Sequence, residues 1–110
     1  MKLPNGAQAD VGVKLEEYVL NPLHRDGRHK ARVFESALGI TLANRDVLRE
    51  AILSAATDSD EAEARGTNGH GHVFVIRFAL STEKGRATVL TAWIILHGED
   101  IPRLTTCYIV

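Results

Sequence analysis

The stretch His72-Val-Phe-Val-Ile-Arg-Phe-Ala-Leu80 decides the fold class, because large apolar side chains recur at every second position. This period of two indicates a β-strand with one buried face. Glu83-Lys84-Gly85 is typical of a hairpin turn into a second apolar segment, Arg86 to Leu96, so the two strands should pair antiparallel. The alternating set of the first strand is Phe74, Ile76, Phe78 and Leu80.

A third strand, Arg103 to Val110, follows the turn-forming segment His97-Gly98-Glu99-Asp100 and Pro102. Short connections favour neighbouring antiparallel strands, so these segments predict a β-meander. Residues 57–71 are rich in Asp, Glu, Gly, Asn and Ala, a composition that predicts a mobile surface loop.

The first half of the chain carries helical patterns. A short helix should follow Asp10 as its cap and end at Asn21-Pro22, because the residue before a proline is disfavoured in a helix. A second helix is predicted from His29 to Leu38 and a third from Asn44 to Ala56. Gly39 stands where a helix end needs a left-handed residue. The inward positions are Val11, Leu15, Tyr18 and Val19 in the first helix, and Leu48, Ala51, Ile52 and Ala55 in the third.

These elements predict an α+β fold, with two to three N-terminal helices packed on one face of a C-terminal antiparallel β-meander. The length of 110 residues fits one domain, 1–110, with a helical half (1–56), the loop (57–71) and the sheet (72–110). Neither a signal peptide nor a membrane-spanning segment is expected, which favours the cytoplasm. The single cysteine, Cys107, excludes an internal disulfide.

The charges are unevenly distributed. The net charge of −1 argues against a generic nucleic-acid coat, which would be strongly basic. Residues 24–32 nevertheless hold four cations and two histidines against one acid, whereas residues 58–63 hold four acids and no base. A neutral domain with one basic patch suits a small anionic site.

Lys30 is the most informative residue of the basic patch. On a helix from His29 to Leu38 it falls in the middle of the apolar stripe, whereas Arg32 and Glu35 point to solvent. The stripe is made of Val33, Phe34, Ala37 and Leu38. An inward ammonium needs a partner. A phosphate at the helix start beside Gly27 would supply one; alternatively, Lys30 extends from the edge of the core or pairs with a carboxylate.

Further polar groups are candidates for chemistry. His29 suits general acid or base catalysis, although a histidine at a helix start is also a common surface or capping residue. Alternation in the last strand puts Leu104, Thr106, Tyr108 and Val110 on one face, and Arg103, Thr105, Cys107 and Ile109 on the other. Thr and Tyr are also ordinary strand formers. Cys107 lacks an activating partner and is interpreted as a packed side chain.

No metal site or cofactor is expected. The five histidines lack helical His-x-x-x-His spacing, and carboxylates at ligand spacing are missing. The pair His70-Gly-His72 beside a glycine-rich segment is better explained as the solvated entry of a strand. Neither a phosphate-binding glycine loop, a dinucleotide fingerprint nor a nucleophile elbow is present.

Four motifs together resemble an uncharacterised bacterial domain family that occurs alone or at the C-terminus of polymorphic-toxin proteins. The motifs are Leu3-Pro4-Asn5-Gly6, Asn21-Pro22-x-His24, Gly27-x-His29-Lys30-Ala31-Arg32-Val33-Phe34 and Pro102-Arg103-Leu104-Thr105-Thr106-Cys107-Tyr108. More distantly, helices followed by a sheet whose last strand bears Thr and Tyr are similar to the barnase–EndoU–colicin–RelE ribonucleases. That resemblance implies metal-free RNA cleavage.

The resemblance implies roles for particular side chains. His29 would be the general base or acid, Lys30 with Arg28 would stabilise charge, and Thr106 and Tyr108 would position the phosphate or donate a proton. Substrate binding is assigned to the basic residues His24, Arg28, Arg32 and Arg103. The chain departs from EndoU-like pairs of well-spaced histidines, which leaves the acid–base assignment open.

Two functions follow from this pattern. The first is a ribonuclease toxin domain, whose partners would be RNA and a cognate antitoxin or immunity protein. The second is a non-enzymatic binding module, antitoxin-like or immunity-like, that uses the same basic patch against an acidic partner. Induced expression separates them, because a toxin arrests growth and a binding module does not.

Overall fold

The computed structural model describes all residues, 1–110. The elements in chain order are a 3₁₀ turn (Gly6–Gln8), a π-helical segment (Leu15–Val19), helix α1 (Arg28–Leu38), a second 3₁₀ turn (Leu42–Asn44), helix α2 (Arg45–Asp58) and strands β1 (Glu63–Thr67), β2 (Gly71–Ser81), β3 (Arg86–Leu96) and β4 (Arg103–Ile109). The predicted α+β class, with helices before an antiparallel sheet, is confirmed.

The sheet has the order β1-β2-β3-β4, and every neighbouring pair is antiparallel. The β2–β3 hairpin pairs without interruption from Gly71 opposite Leu96 to Ser81 opposite Arg86. Consecutive strands therefore lie side by side, as the short connections predicted.

The prediction that residues 57–71 form a loop was wrong at two places. Helix α2 continues to Asp58, and Glu63–Thr67 forms strand β1 at the edge of the sheet. All five residues of β1 are exposed, so they show no apolar alternation. The strand forms because the free edge of β2 offers backbone hydrogen-bond partners, a contribution that side-chain pattern does not reveal.

One hydrophobic core joins the helices to the sheet. Phe34 of α1 and Ile52 of α2 are fully buried together with Trp93 of β3. Burying a side chain of this size contributes roughly 1.5–3 kcal/mol. The indole Nε1–H of Trp93 donates to Thr91 Oγ1 (2.9 Å), and that hydroxyl donates to the carbonyl oxygen of Ile76 (3.1 Å), so the side-chain polar groups of Trp93 and Thr91 are paired.

Helix α1 is rotated relative to the predicted stripe. Ala31, Phe34 and Leu38 are buried, whereas Val33 is 44% exposed. Lys30 consequently lies half-buried at the edge of the inward face and not in its middle. The rotation arises because α1 packs at once on β3, β4 and the π-helical segment, so tertiary contacts decide which flank turns inward.

Strand β4 contains a bulge that the alternation did not predict. Trp93 pairs with Leu104, but the adjacent Ala92 pairs with Thr106, so Thr105 is an extra residue. Leu104 and Cys107 are therefore both buried in the core, although strict alternation assigned them to opposite faces. The predicted two-face division of β4 is wrong at this point.

Gly39 and Asp10 were both expected at helix ends, and only the glycine is found there. Gly39 ends α1 in the left-handed conformation (φ 68°), as predicted. Asp10 does not cap a helix: its backbone forms a parallel bridge with Arg103, and its carboxylate accepts the N–H of Gly12 (2.8 Å). The edge of β4 is thereby partly covered by the N-terminal segment.

Candidate functional site

Lys30 lies between two tyrosine rings. Its Nζ is 5.0 Å from the ring centre of Tyr18 and 5.9 Å from that of Tyr108. Both distances are within the range of a cation–π interaction. Lys30 takes part in none of the ion pairs of the protein, so the carboxylate partner considered from the sequence is absent. The ammonium therefore has aromatic neighbours and no counter-charge.

Three of the four predicted catalytic residues, all except Thr106, border one shallow pocket of about 300 Å³. Its lining residues are His29, Lys30, Val33, Tyr108 and Ile109. The first turn of α1 supplies His29 and Lys30, and the end of β4 supplies Tyr108. Since α1 packs on β4, a histidine, an ammonium and a phenol meet in a surface concavity.

Tyr18 belongs to this cluster, although its sequence pattern indicated only an inward helical position. The pKa of Tyr18 is lowered, first because the Lys30 ammonium stands where it can donate to the phenolate oxygen. Burial opposes this effect, and the Thr106 hydroxyl adds to the lowering. Its position shortly before the basic patch of residues 24–32 was the one sequence signal that Tyr18 could belong to the site, but its spacing is equally typical of a core residue.

Thr106 carries a buried hydroxyl that has no hydrogen-bond partner of standard geometry. It lies in the part of β4 that follows the bulge, close enough to Tyr18 to influence the pKa of the phenol. Unpaired buried hydroxyls are uncommon because they cost free energy. Thr106 therefore lies beside Tyr18, and it does not line the pocket that His29, Lys30 and Tyr108 border.

The loop before α1 is held by His24. Its Nδ1 accepts the backbone N–H groups of Asp26 (3.0 Å) and Gly27 (2.9 Å), and its ring packs edge-on against Tyr18 at 5.0 Å between centres. The sequence predicted a phosphate at the helix start beside Gly27, but Gly27 is buried in the structure. It packs on the backbone of Tyr18, where an added Cβ would lie 1.9 Å from the carbonyl oxygen.

The predicted substrate-binding arginines lie away from Lys30. Arg28 and Arg32 border a different pocket on the other flank of α1. Arg103 pairs with Glu99 (2.8 Å) and borders a third pocket that also contains Asp10. The pocket bordered by His29, Lys30 and Tyr108 is called the tyrosine-lined pocket below. Lys30 is the only lysine or arginine that lines it.

The three remaining histidines lie where β2 begins and β3 ends, and the cysteine lies in the core. No group of three or more His, Cys, Asp or Glu side chains is arranged to hold a metal ion. His72 packs edge-on against His97 at 5.7 Å between ring centres, at the entry of β2. Cys107 is fully buried, and burial raises the pKa of its thiol far above the usual range, so it is a packed side chain as predicted.

The chain matches the model of an uncharacterised domain family. Residues 2–110 fit the family described as "Domain of unknown function (DUF6883)". The chain belongs to this family. No curated protein and no solved structure matches the chain significantly. The DUF6883 match covers both the cluster around Lys30 and the whole sheet, and it carries no assigned activity.

No helix of this DUF6883 domain combines the length and the apolar composition needed to cross a bilayer.

The chemistry open to the domain follows from the cluster around Lys30. An unpaired ammonium beside two phenols can neutralise an anion, and an adjacent imidazole can exchange a proton with a bound group. Phosphate oxygens fit such donors well.

Proposed function

We propose that this domain is a metal-independent, RNA-cleaving domain of the toxin type, acting on a phosphodiester by general acid–base chemistry. The observation that carries the proposal is the ammonium of Lys30, which has no carboxylate partner and borders the same pocket as His29 and Tyr108. An isolated cation beside proton-transferring groups suits a reaction in which negative charge develops on phosphate oxygens. The RNA would be met in the cytoplasm.

In the proposed reaction His29 takes the proton of a 2′-hydroxyl. The 2′-oxygen forms a bond to phosphorus, and the bond from phosphorus to the 5′-oxygen breaks as that oxygen takes a proton from Tyr108. The products are a 2′,3′-cyclic phosphate and a 5′-hydroxyl. His29 then returns its proton to Tyr108 through solvent, so atoms and charge balance.

Lys30 stabilises the charge of the five-coordinate phosphorus in this scheme. Arg28 lies on the other flank of α1, so this role falls to Lys30 alone. Tyr18 is a positioning residue, because its ring holds the ammonium beside the pocket. Tyr18→Phe retains the ring and should keep most of the activity, whereas Tyr18→Ala should lose it together with the orientation of Lys30.

Incubation of the purified domain with total RNA, with and without a chelator, tests the proposal. Cleavage should be insensitive to chelator and should leave cyclic phosphate ends. An RNA oligonucleotide with a single 2′-deoxyribose at the cleaved position should bind but resist cutting, because it lacks the attacking oxygen. Intact RNA after prolonged incubation, or cutting of the deoxy substrate at the same position, would contradict the proposal.

Variants of the pocket provide the matched control. His29→Ala should reduce cleavage by about 10²- to 10⁴-fold, the usual contribution of a general acid or base. Lys2→Met removes an exposed lysine that pairs with Asp60, so it should leave cleavage unchanged. Induced expression of the wild type should arrest bacterial growth, and His29→Ala should relieve the arrest while remaining folded.

A partner-binding module, antitoxin-like or immunity-like, is the second candidate. Leu23, in the loop that precedes α1, is 90% exposed, and Val33 beside Lys30 is 44% exposed. Exposed apolar groups among cations suit contact with an acidic protein surface. This function predicts harmless expression and a copurified partner whose binding is abolished by Leu23→Asp.

A further inference from the structure

A second groove lies along α1, on the flank opposite to the tyrosine-lined pocket. It encloses about 290 Å³, and we call it the Arg28–Arg32 groove. Its lining residues are Leu20, Pro22, Arg28, Ala31, Arg32, Glu35, Thr41, Leu42 and Ala43. A site of this volume is at the small end of ligand pockets, which suits one planar group better than a large ligand.

The two arginines of the groove are not neutralised within the protein. Arg28 and Arg32 are both exposed, and they take part in none of the ion pairs. Like charges four residues apart on a helix repel each other. Glu35 borders the same groove but pairs with neither arginine. An anionic group between the guanidinium groups would remove this repulsion.

The groove and the tyrosine-lined pocket are separated by the exposed ridge of α1. Successive residues of a helix are about 100° apart, so His29 and Val33 point to one flank and Arg28 and Arg32 to the other. Phe34 lies on the side of α1 opposite to the ridge and faces the core. An extended ligand that leaves the tyrosine-lined pocket and crosses this ridge reaches the groove within about one helix diameter, roughly 10–12 Å.

We propose that the Arg28–Arg32 groove is a second nucleotide subsite, and that the substrate is single-stranded RNA lying across α1. The inference rests on the proposed function and adds the position of a neighbouring nucleotide. A base fits the apolar floor and stacks on a guanidinium plane, while the arginines bind its phosphate. Only an unstacked strand exposes a base in this way.

The test measures binding of a fluorescein-labelled hexanucleotide RNA whose 2′-O-methyl groups prevent cleavage. Arg28→Ala/Arg32→Ala should weaken binding roughly tenfold or more and reduce its salt dependence, by a slope of about 0.7 for each phosphate that the variant no longer neutralises. Ala43→Trp should weaken binding equally, because it fills the groove from an exposed position. The same sequence as a duplex should bind weakly.

Arg65→Ala is the matched control. It removes the same charge from β1, at the opposite edge of the sheet from β4, and should bind like the wild type. Urea unfolding of each variant verifies the fold. Wild-type affinity in both groove variants, equal affinity for the duplex, or no binding by the wild type would overturn the subsite. If the wild type binds the hexanucleotide but cuts no unmodified RNA, the proposed cleavage is refuted. The affinities of the groove variants still show whether RNA binds in the Arg28–Arg32 groove.

Discussion

Replacing Lys30 with Met should separate activity from stability. The substitution keeps most of the side-chain volume and removes the ammonium. Because no carboxylate pairs with Lys30, its removal leaves no unpaired buried anion behind. The two cation–π interactions are each worth about 0.5–1 kcal/mol near the surface, and relief of the desolvation of the charge offsets part of this.

The free energy of unfolding should therefore change by no more than about 1 kcal/mol in Lys30→Met. Cleavage should fall by about 10²- to 10³-fold, the usual reduction when one donor to a developing oxyanion is removed. Lys30→Arg keeps the charge but changes its geometry, so it should retain intermediate activity.

Stability can be measured by urea unfolding followed through Trp93, the single tryptophan, which is fully buried. Cleavage is measured on the same preparations with a labelled RNA, and Lys2→Met provides the control for charge. A decrease of more than about 3 kcal/mol in stability would mean that the ammonium has a structural partner. Unchanged cleavage in a stable Lys30→Met variant would remove Lys30 from the reaction.

Three further predictions concern the fold. Thr91→Val should lower the free energy of unfolding by about 2–3 kcal/mol because the indole N–H of Trp93 loses its acceptor, whereas Thr91→Ser should cost about 1 kcal/mol in the same urea titration. The pKa of Glu16 is lowered mainly by the hydrogen bonds from Arg49 (2.7 Å to each oxygen). The stability that these hydrogen bonds contribute is therefore complete above the ordinary pKa of 4.5, and it is lost as the pH falls through the lower pKa of the folded state. Urea titrations across this range should show Glu16→Gln less stable than wild type at neutral pH and converging with it in acid; a constant difference would contradict the assignment. His24→Ala should cost about 1–2 kcal/mol and speed exchange of the two backbone N–H groups that its Nδ1 accepts, whereas His24→Asn supplies an oxygen near that position and should be milder.

The sequence predicted those elements whose side chains carry a strong period. The hairpin of β2 and β3, the extent of α1 and the left-handed Gly39 all follow from alternation or from a local backbone requirement. Strand β1 could not be predicted, because its five residues are exposed and its existence depends on a backbone edge provided by β2. Side-chain patterns carry no information about such pairing.

The candidate site was predicted in part for a related reason. The meeting of Lys30 with Tyr108 follows from α1 packing on β4, which the α+β topology favours. The extra residue Thr105 was invisible to strict alternation, and Tyr18 was assigned to the core because three-dimensional proximity to a cation leaves no trace in spacing. Arg103 was grouped with the basic residues by charge alone, although Glu99 neutralises it.

The buried thiol of Cys107 gives the molecule an intrinsic reporter. As the one cysteine, it can be alkylated only when β4 separates from the core, so the rate of modification by a thiol reagent measures how often that opening occurs. It also adjoins Tyr108 in the chain. A ligand that occupies the neighbouring surface should slow alkylation, and binding could then be followed by mass spectrometry on the native, unlabelled protein.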